Sequence, residues 1–393
     1  MARKMKDSGI EWIGEIPEGW ETQKLKYYAT VTSGEILSKD EYDFSGDIPV
    51  IGSNGKIGTT YKSNNHSEVI TTGRVGTIGT AQIVQDAWIT DNALIIKSHS
   101  ISRPFLTYVI PNFDFKFMLS GTAQPLITAT KLKNQYIPVP SSEVQDKLVQ
   151  YLNTQIFNLS HLISQVCSSI ELYKKFKQAV ITQAVTKGVR GEREMKDSGV
   201  EWIGEINHRF SLIKLKYICS ILDQYRKPIS ADKRSQSGSI LYDYYGASGA
   251  IDKIDDYTID DHVMLIGEDG ANLRMRNLPL MYEVNGKAWI NNHAHILKPT
   301  ERVDFYYLFY ALEGLDINPY ITGSAQPKLS QEKLQNIWVP LPDFEEQQEI
   351  AIYIRSKCAE IDGVIAKKEL LVKELESYKK SLIYEVVTGK QEV

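Results

Sequence analysis

The sequence is poor in cysteine: its 393 residues include three, and Cys167, Cys219 and Cys358 lie far apart. Such an odd, scattered set excludes a disulfide framework and the spacing of a zinc knuckle, and it fits a reducing compartment. Long apolar runs are lacking too, since no stretch approaches the about 18 residues of a membrane span and no signal-type apolar core follows the start. We therefore expect a cytoplasmic protein without a membrane segment.

Neither sign of charge is in large excess. The 45 basic and 49 acidic residues leave a net charge of −4, while 42% of the residues are hydrophobic. This composition is typical of a globular chain with a sizeable core, and the length suggests two or three domains. The overall balance gives no indication of nucleic-acid binding, so any such hypothesis depends on local charge.

Familiar catalytic motifs are missing. There is no Gly-x-x-x-x-Gly-Lys-Ser/Thr phosphate loop and no Gly-x-Ser-x-Gly elbow, and the segment Asn-Pro-Tyr at 318–320 lacks the second proline of an amino-methyltransferase loop. His293 and His295 could ligate a metal with His262 or Asp261, but their spacing is more typical of a half-exposed strand. We expect no bond chemistry in this chain.

An internal repeat is the strongest positive feature. The segment Lys-Asp-Ser-Gly-Ile-Glu-Trp-Ile-Gly-Glu-Ile at 6–16 recurs at 196–206 with a single Ile-to-Val change, and Lys-Leu-Lys-Tyr at 24–27 recurs at 214–217. Further on, Gly-Thr-Ala-Gln-Pro at 121–125 returns as Gly-Ser-Ala-Gln-Pro at 323–327. A repeat of this length predicts a duplicated structural unit. Between these anchors the two copies share little more than scattered glycines.

Each copy has two parts with different periodicity. Short β-branched and aromatic runs at 48–51, 68–72, 82–84 and 93–96, broken by glycine and asparagine turns, predict strands. After Pro140 the apolar spacing changes to three and four, which predicts a long coiled-coil helix. The first helix seam consists of Ile156, Leu159, Ile163, Val166, Ile170 and Tyr173. The second has Ile361, Ile365, Val372 and Leu375. Gly188 and Gly389 predict the ends of the two helices, because glycine commonly terminates a helix.

These patterns predict an α+β protein. We expect two β-rich globular domains with short helices, at 1–140 and 195–342, and two helical regions, at 141–194 and 343–393. The two helices bury their seams most simply against each other as an antiparallel spine, which predicts a pseudo-twofold molecule. About 45 helical residues span about 65 Å, enough to hold two globular parts at a set distance. An ordinary helical hairpin that only stabilises the fold is the alternative.

Glycine-rich loops on the globular parts carry local positive charge. Glycine lets a backbone approach a phosphate, and neighbouring Lys, Arg and Thr side chains reach phosphates or base edges. Solvated hairpin turns are the alternative interpretation of the same loops. The DNA-binding candidates of the first copy are Lys56, Lys62, Arg74, Thr77, Lys131 and Lys133. Those of the second copy are Arg226, Lys227, Arg274, Arg276 and Lys328.

Taken together, the duplicated opening, the Gly-(Thr/Ser)-Ala-Gln-Pro turn and the (Ile/Val)-Pro-x-Pro entry into each long helix resemble the specificity subunits of type I restriction-modification systems. The resemblance covers nearly the whole chain. It implies two target-recognition domains that each read one half of a bipartite, asymmetric sequence in double-stranded DNA. It also implies that the helices set the spacer between the half-sites and that the helix seams dock partner subunits.

The resemblance further implies which partners and cofactors to expect. Two modification subunits would bind S-adenosylmethionine and methylate adenine, and restriction subunits would use ATP and magnesium as motor-nucleases, so that this chain itself would need no cofactor. Two other functions stay open. One is a coiled-coil scaffold for protein partners, and the other is a DNA methyltransferase or nuclease with an unrecognised active site. The loop Gly-Arg-Val-Gly at 73–76 becomes acidic Gly-Glu-Asp-Gly at 267–270, which puts a direct transfer of DNA contacts between the copies in doubt. The carboxylates of this loop could accept hydrogen bonds from cytosine amino groups or hold a neighbouring arginine.

Overall fold

A computed structural model describes residues 3–42, 45–118, 126–191, 193–231, 234 and 240–393. The chain divides into two compact units. Unit 1 comprises Met1–Cys167 and Leu370–Val393, and unit 2 comprises Ser168–Glu369. Each unit therefore combines a strand-rich part with a piece of each of two long helices. None of the helices in the described ranges has both the length and the apolar composition needed to cross a membrane.

The strand-rich part of unit 1 is built from short strands. They are β1 (Met5–Asp7), β2 (Glu15–Pro17), β3 (Glu21–Lys24), β4 (Ala29–Ser33), β5 (Ile48–Gly52), β6 (Gly55–Thr60), β7 (Val69–Gly73), β8 (Ala81–Val84), β9 (Trp88–Ile89), β10 (Ala93–Ser98) and β11 (Tyr136–Val139). They form a four-stranded sheet in the order β4-β10-β7-β8, a three-stranded sheet β6-β5-β9, and the pairs β1-β2 and β11-β3. The apolar faces of these strands bury Ile70, Leu94 and Ile96 completely.

Two short helices and two long ones complete unit 1. The short helices are α1 (Arg103–Val109) and α2 (Ala129–Lys133), each capped by the hydroxyl of the residue before it, Ser102 or Thr128. The long helices are α3 (Ser142–Lys187), of which unit 1 holds the first part, and α7 (Phe344–Val387), of which it holds the last part. The core of unit 1 joins the sheet to both long helices.

Unit 2 repeats this plan with longer strands. They are β12 (Met195–Asp197), β13 (Glu205–Asn207), β14 (Ser211–Lys214), β15 (Cys219–Ile221), β16 (Tyr242–Gly246), β17 (Gly249–Ile254), β18 (Ile259–Gly267), β19 (Met281–Ile290), β20 (Ala294–Pro299) and β21 (Trp338–Leu341). A single six-stranded sheet runs in the order β15-β20-β18-β19-β16-β17, beside the pairs β12-β13 and β14-β21. The short helices are α4 (Asn272–Met275), α5 (Phe305–Gly314) and α6 (Gln331–Gln335).

The backbone differs locally between the units at the point where two sheets of unit 1 correspond to one sheet of unit 2. In unit 1, Asp86 adopts a left-handed conformation with φ 48° and separates β8 from β9. In unit 2 the left-handed residue is Gly286, with φ 96°, and β19 continues through it. Glycine adopts positive φ without the steric cost that a side chain brings. The longer β19 therefore pairs with both β18 and β16, which joins the two sheets.

The long helices run antiparallel within each unit. In unit 1, Lys379 of α7 donates to the hydroxyl of Ser160 of α3 over 2.9 Å, and Gln391 donates to Tyr151 over 3.0 Å. In unit 2, the Lys368 ammonium lies 5.5 Å from the Tyr173 ring centre, and Lys177 forms a 2.7 Å ion pair with an aspartate further back along α7. Residue numbers therefore increase along α3 in the direction in which they decrease along α7.

The helices end where the sequence predicts. Helix α3 ends at Lys187 and α7 at Val387, and the glycines that follow shortly after, Gly188 and Gly389, have φ values of 78° and 73°. A glycine in this conformation is the usual terminator of a helix. The strand runs predicted in the first copy coincide with β5, β7, β8 and β10. The predicted α+β class, with β-rich parts joined by two long helices, is confirmed. The turn at 121–125 lies outside the described residues.

Candidate nucleic-acid interface

Four loops of unit 1 meet at one end of its four-stranded sheet. The loop after β7 is tied to the turn before β10 by the Arg74 amide, which donates to the Asn92 carbonyl over 2.9 Å. The segment after β4 is held by the Glu35 amide, which donates to the Ile89 carbonyl over 2.9 Å. The Ile127 amide in turn donates to the Arg74 carbonyl over 2.9 Å. This end of the sheet is therefore a fixed backbone frame that presents several side chains together.

The same backbone hydrogen bonds form an equivalent frame in unit 2. The Glu268 amide donates to the His293 carbonyl over 2.8 Å, and the Lys227 amide donates to the Ile290 carbonyl over 2.9 Å. The Leu329 amide donates to the Glu268 carbonyl over 2.7 Å. A tryptophan before each turn completes the match, because its indole donates to the backbone of Glu35 in unit 1 and of Lys227 in unit 2.

The side chains on this common frame differ in kind and in charge. Matching hydrogen bonds make four positions of the two units equivalent, and each position holds different chemistry in the two copies. The pairs are Glu35 and Lys227, Arg74 and Glu268, Asn92 and His293, and Leu126 and Lys328. Polar side chains on a rigid frame are the means by which proteins distinguish base edges. The frame can thus present two different recognition surfaces.

A buried ionic network supports the loop of unit 2. The carboxylate of Glu268 accepts from Arg226 and lies 3.1 Å from the Lys328 ammonium. Arg226 also pairs with Asp223 at 3.1 Å, and Asp223 accepts from Nδ1 of His295 at 2.6 Å. The charged groups compensate one another inside the fold, where an unpaired charge would be costly.

The electrostatics of Glu268 follow from these contacts. Burial raises the pKa of its carboxyl, but the hydrogen bonds from Arg226 and Lys328 outweigh burial, so that the pKa lies below its usual value. His295 is 1% exposed, and its Nε2 lies 2.8 Å from the Leu329 carbonyl. Both of its ring nitrogens therefore lie within hydrogen-bonding distance of an oxygen atom beneath the loop.

The corresponding part of unit 1 has no such network among its described residues. Leu94, in the strand position of His295, is fully buried in the apolar core. Arg74 is half-buried, and one guanidinium nitrogen donates to the Asp91 carbonyl over 3.1 Å. The loop of unit 1 is thus held by apolar packing and backbone bonds.

The predicted DNA-binding residues of unit 1 lie in three places. Lys56 is exposed near the tip of the β5–β6 hairpin, and Thr77 is exposed in the loop after β7, which also holds Arg74. Lys62 is paired with Glu41 at 2.5 Å, and this contact and hydrogen bonds from Ser38 hold the pKa of that carboxyl below its usual range. The remaining two are on α2, where Lys131 donates to the Met118 carbonyl over 2.8 Å and Lys133 is half-buried.

In unit 2, two of the predicted residues are exposed at the frame. Lys227 is exposed, with its ammonium 5.4 Å from the Trp289 ring centre, and Lys328 is exposed beside the loop. Arg226 instead lies within the buried network, with 18% of its side chain exposed. The sequence interpretation had allowed either a base contact or an arginine partner for the acidic loop. Glu268 has the arginine partner.

The other two predicted arginines of unit 2 contact the backbone. Arg276 donates to the carbonyls of Glu313 and Leu315 at 3.1 and 2.5 Å, and burial lowers its pKa. Arg274 donates to the Ile321 carbonyl over 3.2 Å, although it stays exposed. These contacts attach α4 to the end of α5. A role in DNA binding for either arginine stays a prediction.

Sequence reasoning did not foresee that two residues at the frame of unit 2 form a pair. Half-buried Asp269 and exposed His293 form a pair, with 2.7 Å between Oδ2 and Nδ1. His293 had been noted as a possible metal ligand with His295, but one side chain is at the turn and the other is in β20. In the described part of the chain, no group of three or more His, Cys, Asp or Glu could hold a metal ion. The alignment of His293 with Asn92 in the repeat was the one sequence feature that could have indicated a role at the frame.

The predicted helix seams are divided between the units. In unit 1, Val166 is buried, while Ile156, Leu159, Ile163, Val372 and Leu375 are half-buried. In unit 2, Ile170 and Ile361 are buried, and Ile365 and Tyr173 are half-buried. Large apolar side chains also point to solvent. The most exposed of these are Phe157 in unit 1 and Leu172 and Ile352 in unit 2, each at least 65% exposed.

The fold and the paired frames define a protein with two copies of one recognition architecture. A sequence model described as the type I restriction modification DNA specificity domain matches residues 17–172 and again 208–363. The chain therefore belongs to the family of type I restriction-modification specificity proteins, with two copies of the domain.

Individual relatives agree with this assignment. The chain is 26% identical over 96% of its length to a Methanocaldococcus jannaschii protein named as the MjaX specificity subunit of a type I restriction enzyme, of which the match covers 95%. It is 32% identical over 40% of its length to a Haemophilus influenzae protein named as a type I specificity subunit, and this match spans 37% of that relative. A solved structure titled for complex assembly and conformational transition of the type I R-M system has the same fold, with a TM-score of 0.69 at 15% identity, over 95% of this chain and 98% of that one.

Proposed function

We propose that this chain is the DNA sequence-recognition subunit of a type I restriction-modification complex, with each unit reading one half of a bipartite, asymmetric target. The observation that carries the proposal is the pair of equivalent frames with different side chains. If one half-site differs from the other, a duplicated domain must keep its backbone and change the groups that meet the bases. Glu35 against Lys227 and Arg74 against Glu268 are changes of this kind.

The charges near the frames suit DNA. Exposed Lys56 and Lys227 extend from the loops, where they can meet phosphates and add a binding energy that depends on salt. Base edges would then be read by the neutral and acidic groups beside them. In this division of roles, lysines set affinity and the remaining side chains set sequence preference.

Chemical steps belong to partner proteins in this proposal. Two modification subunits would supply S-adenosylmethionine and adenine methylation, and restriction subunits would supply ATP- and magnesium-dependent cleavage. The exposed apolar residues of the long helices provide surfaces for such partners, since Phe157, Leu172 and Ile352 are too large and too exposed to serve the core of this chain. The helices would also set the spacer between the half-sites.

The test is methylation mapping by long-read sequencing in a host that expresses this chain with its modification subunit. We expect a new methyladenine motif of two short half-sites around a fixed unspecified spacer, absent from a host that lacks this chain. Failure to obtain such a motif, although the two proteins are shown to assemble, would contradict the proposal and favour a scaffold.

A domain exchange sharpens the test. Residues 24–140 are replaced by a second copy of 214–342, with boundaries where β3 meets β11 and β14 meets β21. These junctions pair Lys24 with Tyr136 and Lys214 with Trp338, so the exchanged segments begin and end at matching points. We expect a motif in which the first half-site is replaced by the second. As the control, the original residues 24–140 are reinserted through the same cloning junctions.

A further inference from the structure

Unit 2 carries a half-buried carboxylate at its frame, next to the ionic network. Asp269 follows the network residue Glu268 in the loop after β18, and 23% of its side chain is exposed. Its Oδ2 accepts from Nδ1 of His293 over 2.7 Å, and 50% of the histidine side chain is exposed. No other hydrogen bond to this carboxylate occurs within the described ranges. One carboxylate oxygen therefore remains available at the surface.

The backbone holds this pair firmly. Asp269 forms a bridge with Lys328, and the Gly270 amide donates to the Pro327 carbonyl over 3.0 Å. On the other side, the Glu268 amide donates to the His293 carbonyl. Both members of the pair thus sit on segments that hydrogen-bond each other directly. A side chain fixed before binding loses little entropy on contact, which favours its use in recognition.

The Asp269 carboxylate can make only one kind of hydrogen bond with a base. An ionised carboxylate only accepts hydrogen bonds. In the major groove, adenine N6 and cytosine N4 donate, whereas guanine presents O6 and N7 and thymine presents O4 as acceptors. A carboxylate opposite guanine or thymine would place two acceptors against each other, and both would lose their water without gaining a bond. Such a group selects amino bases by rejecting keto bases as well as by bonding.

We propose that Asp269 is a specificity-determining residue that accepts a hydrogen bond from the exocyclic amino group of adenine or cytosine in the second half-site, with His293 as its positioning residue. The proposal rests on the DNA-recognition function proposed above. In unit 1 the position of Asp269 is held by Val75, which has no polar side-chain group, and the position of His293 is held by Asn92. The first half-site is therefore read at this point by different chemistry.

The chain offers a matched control. His66 and Asp86 in unit 1 form an exposed pair of the same composition, with 3.5 Å between Nδ1 and Oδ1. Asp86 follows the end of β8 that pairs with Val69, whereas the loop of unit 1 follows the opposite end of β7. A change at Asp86 therefore alters an exposed histidine–aspartate pair away from the frame.

The experiment uses the full chain with its modification subunit and compares wild type, Asp269→Asn and Asp86→Asn by methylation mapping. Asparagine keeps the size of aspartate but can also donate to a keto oxygen. We expect Asp269→Asn to broaden one position of the second half-site from an amino base to include guanine or thymine, with at least about tenfold loss of discrimination there. The first half-site and the Asp86→Asn motif should match wild type.

The role of His293 has its own readout. His293→Gln retains a donor for the carboxylate, whereas His293→Leu does not. We expect the glutamine variant to keep the wild-type motif and the leucine variant to lose discrimination at the position that Asp269→Asn alters. A merely structural role would instead lower methylation at all sites alike.

The outcomes separate the two proposals. If wild type produces no bipartite motif, the proposed function fails, and this inference with it. If wild type produces the motif but Asp269→Asn leaves every position unchanged, or weakens all sites equally, the inference alone is overturned. Binding of short duplexes by the purified complex, measured with each base in turn at the altered position, gives the discrimination ratio directly.

Discussion

The two units solve one problem, how to hold a loop rigidly at the end of a sheet, by different means. In unit 1 the strand position beneath the loop is Leu94, fully buried in an apolar core. In unit 2 the same position is His295, buried in a network with Asp223 and Glu268. The backbone bonds at the loop are the same in both. A scaffold can therefore exchange apolar support for ionic support while keeping its geometry, provided that every buried charge has a partner.

The difference extends to the sheets. Unit 1 divides its strands between a four-stranded and a three-stranded sheet, and unit 2 joins them into one of six. The longer β18 and β19 carry α4 in the connection between them, and Arg276 attaches that connection to α5. Additional sequence in unit 2 thus extends the sheet and enlarges the loop region, while the frame itself stays the same.

The largest effect should come from filling the close backbone contact at the loop of unit 1. A Cβ on Gly73 would lie 1.8 Å from the Thr77 carbonyl oxygen and 2.8 Å from that of Ser53, whereas one on Gly267 would lie 2.7 Å from the Ala247 oxygen. We expect Gly73→Ala to cost at least about 3 kcal/mol and Gly267→Ala about 1–2 kcal/mol in the free energy of unfolding. Urea denaturation followed by circular dichroism measures both. Equal losses would show that the two loops tolerate crowding alike.

Removal of the ionic support in unit 2 should have the second-largest effect on the free energy of unfolding. Glu268→Ala leaves Arg226 and Lys328 without their shared carboxylate, and 15% exposure of the Glu268 side chain limits replacement by water. We expect a loss of about 2–4 kcal/mol in the free energy of unfolding. The matched variant Arg74→Ala removes one hydrogen bond to a carbonyl and should cost about 1 kcal/mol. Similar losses for the two variants would contradict the contrast between ionic and apolar support.

The smallest effect is a dependence on pH. Because the pKa of Glu268 is depressed in the folded chain, its contribution is present above the carboxyl's unfolded pKa and is lost as pH falls through the lower folded value. The stability difference between wild type and Glu268→Gln should therefore be constant near neutral pH and shrink below about pH 4. Thermal midpoints of the two proteins across this range give the difference. As the control, Arg74→Met should show no such trend, since it removes no carboxyl. A gap between wild type and Glu268→Gln that persists at low pH would assign the stabilisation to shape and not to charge.

Much of the architecture was predictable because it depends on spacing along the chain. The repeat at 6–16 and 196–206, the apolar spacing of three and four after Pro140, and the glycines after the helices each specify local structure without reference to distant residues. The frame was only partly predictable. Arg74 and Lys227 were identified as loop residues, but the network role of Arg226 depends on Glu268, 42 residues further along, and on His295.

Long-range pairing also decided which charges are available. In sequence, Arg276 and Lys56 are both basic residues near glycines, yet one donates to carbonyls at the end of α5 and the other is exposed on a hairpin. Neither composition nor local charge separates these cases, because burial is set by segments that meet only in the folded chain. The pairing of Asp269 with His293 was overlooked for the same reason, since the two residues are 24 positions apart and β19 lies between them.

The sequence by itself determined that the protein is a duplicated α+β chain with two long helices, because repeats and periodicity are properties of neighbouring residues. It also carried the motifs of the specificity family. The tertiary structure decided which side chains share one surface, which charges neutralise each other beneath it, and which remain free. The physical reason is that hydrogen bonds and ion pairs depend on distances of about 3 Å in space. The folded strands bring Asp269 and His293 to that distance, although they lie far apart along the chain.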